Sequence, residues 1–154
     1  MPTVAPLDKL TVFLAFKRDL EDAIKLYTSL FDDAEVLSVI RARAGEPGWA
    51  DGTLQHAVIT LAGLKLMCIN MPPPGAQGHD HAPWHKYEFS PAVAIYVQCR
   101  DTEEFDRLYG ALSDMGEVIA PIGAYGWSEK FAWVSDRFGV SWRINLSSDP
   151  TARR

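Results

Sequence analysis

Cysteine is scarce: Cys68 and Cys99 are the only two in 154 residues. That is too few for a disulfide scaffold and fits a reducing interior, so a cytoplasmic location is expected. Charge of one sign is never concentrated either. Acids outnumber bases 20 to 15, for a net charge of −5, and no run of Lys or Arg exceeds a pair, so the footprint of a nucleic-acid binder is missing. No stretch reaches the roughly 20 apolar residues that cross a bilayer, which excludes a membrane partner of that kind. Residues 1–8 carry neither a basic start nor an apolar run, and no signal peptide is expected there. Phosphate loops, dinucleotide fingerprints and Cys-x-x-Cys pairs are missing. The segment Gly139-Val-Ser141-Trp-Arg143 lacks the second glycine of a nucleophile elbow. What is present, 47% apolar and 23% charged residues, is the make-up of a globular domain.

The chain repeats itself. Asp19-Leu-Glu-Asp-Ala-Ile-Lys-Leu-Tyr27 is echoed 82 residues later by Asp101-Thr-Glu-Glu-Phe-Asp-Arg-Leu-Tyr109, and Ile69-Asn70 is echoed after 75 residues by Ile144-Asn145. Each half opens with a β-rich run, residues 10–16 and 92–99. A helix follows, expected to be capped by Asp19 in one half and by Asp101 with Glu104 in the other. Leu20, Ala23, Ile24, Tyr27, Leu30 and Phe31 recur at helical spacing, as do Phe105, Leu108, Tyr109, Leu112 and Met115, with Gly116 as the expected stop. Three strands then follow: residues 35–43, 54–61 and 64–71 in the first half, and 117–122, 130–135 and 140–146 in the second. The reading is an α+β fold of two βαβββ modules, residues 8–72 and 91–147, forming one domain with a curved mixed sheet. Residues 73–90 connect the modules and residues 148–154 form a polar tail expected to fray.

Paired βαβββ halves resemble the vicinal oxygen chelate superfamily of glyoxalases, bleomycin-resistance proteins and dioxygenases. Within it the chain resembles the PhnB-like family, which also carries a 3-demethylubiquinone methyltransferase label. Asp19 to Phe31, Gln55-His56-Ala57-Val58, Gly126-Trp127 and Asp136-Arg137-Phe138-Gly139-Val140-Ser141-Trp142-Arg143-Ile144 carry the likeness. The resemblance implies a homodimer and a divalent metal held by the first and last strands of each half, acting as a Lewis acid. Carrying those positions over gives Val12, Cys68, Ala94 and Arg143. Two are aliphatic, and an arginine does not shed its proton, so the set departs from the metal-dependent pattern and no cofactor is expected. The methyltransferase label finds no support, because no glycine-rich strand-to-helix turn is present to seat S-adenosylmethionine.

Strand alternation adds a second argument. With Arg143 on the concave face, Ser141 and Asn145 join it while Val140, Trp142 and Ile144 face the helix. The same reasoning places Cys68, Asn70, Tyr96 and Gln98 on that concave face, with Trp127 as a wall. Such a lining suits an organic anion or an oxygen-rich ring, unless Arg143 simply pairs with an acid or reaches solvent. Cys68 and His56 are the candidates for acid–base or nucleophilic chemistry, set against an inert buried thiol and a hydrogen-bonded structural imidazole. His79, His81 and His85 have spacing that could grip a cation, but a hydrophilic, flexible surface loop is the favoured reading of them. Two functions follow: a small-molecule binding protein without a catalytic metal, or a metal-dependent enzyme of the glyoxalase or dioxygenase type.

Overall fold

Helical periodicity finds its apolar partner in the sheets. The computed structural model describes residues 2–73, 76 and 86–154. They form two compact units, Met1–Tyr87 and Glu88–Arg154. The first contains β1 (Val12–Phe16), α1 (Leu20–Leu30), β2 (Glu35–Arg41), β3 (Leu54–Leu61) and β4 (Leu64–Asn70). The second contains β5 (Ala94–Gln98), α2 (Thr102–Ser113), β6 (Glu117–Tyr125), β7 (Ser128–Ser135) and β8 (Ser141–Ser147), followed by a single 3-10 turn, Pro150–Ala152. Strand order is β1-β4-β3-β2 in one sheet and β5-β8-β7-β6 in the other, with the outer pairs β1/β4 and β5/β8 parallel and the rest antiparallel. The duplicated βαβββ topology read from the sequence is therefore the observed one. Among the described residues no helix is long and apolar enough to cross a membrane.

Each sheet buries one face under its helix. In the first unit that face holds Leu14, Phe16, Ala57, Ile59, Leu66 and Cys68, against Leu20, Ala23, Ile24, Tyr27 and Leu30 of α1. In the second it holds Ala132, Val134, Trp142, Ile144 and Leu146, against Phe105, Leu108 and Leu112 of α2. Each of the Leu, Ile, Val and Phe side chains among them contributes about 1.5–3 kcal/mol by leaving water.

Three local expectations are corrected. Asp19 precedes α1 but its side chain accepts no capping bond. The Leu20 N–H is instead held by Asn70 Oδ1 at 3.1 Å, from the far end of β4. In α2 the expected cap is present: Asp101 Oδ1 accepts from Glu104 N at 2.8 Å, and Glu104 reaches back to Arg100 N. Second, the left-handed residue ending α2 is Met115 (φ 55°), not Gly116. Gly116 is needed for space, since a Cβ there would sit 2.2 Å from the Ser135 carbonyl oxygen. Third, the tail is tied down. Arg153 pairs with Glu129 at 2.6 Å and donates to Ser147 O, and Gln98 Nε2 donates to Ala152 O.

Before β1, residues 2–8 run across the helix-free face of the first sheet. Ala5 N donates to Ser38 Oγ (2.9 Å) on β2, and Lys65 Nζ on β4 donates to Pro6 O (2.9 Å) and Asp8 Oδ1 (3.2 Å). Ser38 and Lys65 lie on the side of the sheet opposite Leu66 and Cys68, because Ser38 pairs with Val58 and Val58 with Met67.

Candidate functional site

Alternation along β8 is clean, and it builds the site. Trp142, Ile144 and Leu146 go to the helix; Ser141, Arg143 and Asn145 go to the opposite face. Tyr96 of β5 and Trp133 of β7 flank Arg143 in register, so a cation lies between two aromatic positions. Its guanidinium carbon stands 4.7 Å from the Trp133 ring and 5.3 Å from the Phe131 ring. Such contacts attract a cation to the negative ring face by about 0.5–2 kcal/mol. Among the described residues no carboxylate lies within ion-pair distance of Arg143, and the side chain is exposed.

A cavity of about 310 Å³ opens beside it, lined by Tyr96, Tyr125, Gly126, Trp127, Ser128, Phe131 and Arg143. The β6–β7 turn that carries Trp127 depends on Gly126, whose φ of +56° is cheap only without a Cβ. Ser148 then fixes that turn from the tail, giving both its backbone N–H (2.9 Å) and its hydroxyl (2.6 Å) to the Trp127 carbonyl. Trp127 itself remains 76% exposed, leaving the indole available at the mouth. Tyr125 meets Phe131 edge to face at 5.5 Å.

The other predicted lining residues of this unit share the face but spend their polar groups internally. Ser141 Oγ accepts from Trp133 Nε1 at 2.7 Å. Asn145 Nδ2 donates to Gln98 Oε1 at 2.8 Å, and its Oδ1 accepts from Ser128 Oγ. They hold the floor rigid and leave Arg143 as the charged group facing the cavity. Phe131, Trp133 and Tyr125 were missed by the sequence reading. The run Phe131-Ala132-Trp133-Val134 is apolar on both faces, so nothing local marks its aromatic side as a cavity wall.

The first unit reverses the expectation for Cys68 and Asn70. Both lie on the helix side, not on the face expected to bind. The sequence offsets of 82 and 75 equate Leu14 with Tyr96 and Cys68 with Arg143, yet Leu14 and Cys68 face α1. The two modules are thus out of step by one residue, and in a strand one residue exchanges the faces. Cys68 is 0% exposed, and burial pushes its thiol up to about 12. A thiol in that state is no nucleophile. Cys99 is likewise pushed up to about 12, by burial first and by Glu104 and Asp101 second. Asn70 spends its amide on Leu20 N and on the Leu54 carbonyl (2.7 Å).

His56 does lie on the helix-free face, paired with Ile40 and Ile69, and burial lowers its affinity for a proton. Its Nδ1 is buried with no hydrogen-bond partner among the described residues. His79, His81 and His85 lie outside the described residues. On the helix-free faces, β1 and β4 present Phe13, Ala15, Met67 and Ile69, while β5 and β8 present Ala94, Tyr96, Gln98, Ser141, Arg143 and Asn145. A cation, internally bonded amides and hydrocarbon do not fit a divalent metal. Among the described residues no three His, Cys, Asp or Glu side chains converge as a metal site.

A family model described as 3-demethylubiquinone-9 3-methyltransferase matches residues 8–145. The chain is similar to the solved PhnB protein from Bacillus cereus, at 38% identity, with 91% of this chain and 100% of that one covered and a TM-score of 0.79. It shares its fold with a glyoxylase/bleomycin resistance protein/dioxygenase domain from Frankia sp. EAN1pec, at 15% identity, 93% and 99% coverage and a TM-score of 0.54. Protein YjdN of Escherichia coli (strain K12) is 24% identical over 96 residues, 62% of this chain and 58% of YjdN. The chain therefore spans just over half the length of that curated relative.

Proposed function

The chain belongs to the PhnB-like family described as 3-demethylubiquinone-9 3-methyltransferase, within the vicinal oxygen chelate superfamily, and on that premise we propose that it binds a small organic anion with a flat, ring-like body in the cavity of its second unit. The observation that carries this reading is Arg143: a guanidinium braced on two aromatic rings, with no carboxylate partner among the described residues, beside about 310 Å³ of aromatic-walled space. A ring-braced guanidinium keeps its planar fork oriented, which favours a carboxylate or similar two-oxygen anion. Trp127 and Tyr96 supply faces on which a ring can stack. The donor set beneath does not suit a metal, and neither strand-to-helix connection, residues 17–19 or 99–101, contains a glycine on which S-adenosylmethionine could rest. Binding without metal or methyl transfer is thus the reading the side chains support.

The test is a fluorescence titration with benzoate and 1-naphthoate, read through the tryptophans flanking Arg143. Naphthoate is expected to bind the wild type more tightly than benzoate. Arg143→Gln should weaken both by about 10- to 100-fold, the worth of a charge-assisted hydrogen bond, while loss of the two ring contacts lowers stability in urea unfolding by no more than about 0.5–2 kcal/mol. Equal affinity in the variant would remove Arg143 from the role.

A further inference from the structure

The helix-free face of the first sheet is covered by its own chain. Residues 2–8 cross it from Ser38 on β2 to Lys65 on β4. Between those anchors lie Val58, which is 0% exposed, and its cross-strand partner Met67; Ile69 and His56 form the next pair on the same face, and Phe13, beside Met67, is left 50% exposed. Between the polar ends of the path, Ser38 at one side and the Thr60–Lys65 pair at the other, this floor is hydrocarbon except for His56, whose buried Nδ1 has no partner among the described residues. The covering segment matches it: Val4, Ala5, Pro6 and Leu7 are uncharged. Yet the segment is lightly held. The bonds to Lys65 are exposed, Val4 and Leu7 remain 39% and 42% exposed, and the segment joins no strand ladder.

We infer that this face is a second binding site, for an uncharged apolar molecule carrying one hydrogen-bonding group, and that residues 2–8 are its displaceable occupant. An incoming molecule replaces the contacts of Val4 to Leu7 and gives His56 Nδ1 the partner it lacks among the described residues. Because the occupant is part of the chain, it competes at a fixed effective concentration, so apparent affinity is reduced by the fraction of time the face is uncovered. A segment in place about nine-tenths of the time costs about tenfold in apparent affinity.

The site is tested with Nile red, an uncharged apolar dye on which Arg143 has no electrostatic hold. Deleting residues 2–8, or substituting Lys65→Met in the full chain, should raise dye affinity on the order of tenfold. A synthetic peptide of residues 2–9 should displace the dye, and Met67→Glu added to either variant should abolish the gain. Peptide displacement separates a real site from loosened packing. A folded deletion variant with no gain overturns the inference, as does a gain that the peptide fails to reverse. If the deletion does not fold, Lys65→Met in the full chain decides by the same two readouts.

Discussion

Asn70 was read from sequence as a binding residue and stands in the structure as the cap of a helix in another part of the chain, 50 residues away. Replacing it with alanine removes two buried bonds at once, to Leu20 N–H and to the Leu54 carbonyl. Each is worth about 1 kcal/mol net, and the backbone groups left behind belong to residues only 0% and 3% exposed, where an unmet donor or acceptor costs about 1–3 kcal/mol. Allowing for local relaxation, Asn70→Ala should destabilise by about 2–4 kcal/mol. For a chain of this length that lowers Tm by about 5–15 °C. Asp19→Ala, at the residue sequence rules nominate as the cap, loses only its favourable charge near the helix start, under about 1 kcal/mol. Urea unfolding followed by tryptophan fluorescence and circular dichroism, with an unchanged m value, measures both. If Asp19→Ala costs as much as Asn70→Ala, the capping argument fails.

Both thiols should be nearly inert in the folded protein. With values pushed up to about 12, their thiolate fraction at pH 8 is on the order of a thousandfold below that of a free cysteine; rapid reaction of native Cys68 with Ellman's reagent would contradict the burial. His56 resists protonation when folded and accepts it when unfolded, so the unfolded state binds more protons once pH drops below about 6.5. Wild-type stability should therefore fall relative to His56→Gln between about pH 7 and pH 5, in urea midpoints measured across that range.

The order of elements was legible because each helix has one apolar face and each strand run ends in turn residues. The second unit's faces were legible too. Ser141-Trp142-Arg143-Ile144-Asn145 alternates polar with apolar, which admits one orientation on a half-buried sheet. Leu66-Met67-Cys68-Ile69 is apolar throughout, so nothing local chooses a side, and orientation was carried over from the other half. That transfer failed by one residue, and with it the placement of Cys68 and Asn70. The aromatic brace on Arg143 was illegible for another reason. Phe131 and Trp133 come from a neighbouring strand whose register is set by pairing across the sheet.

Part of what distinguishes the two copies lies outside the duplicated elements. Residues 2–8 cross one sheet, and residues 148–154, through Ser148, hold the backbone of the turn that carries Trp127 beside the other. A duplicated scaffold can in this way acquire two separate specificities while its internal packing stays intact, since an appendage is free to vary without disturbing the core. Changes in residues 2–8 or 148–154 consequently act on the sheet faces that these segments touch.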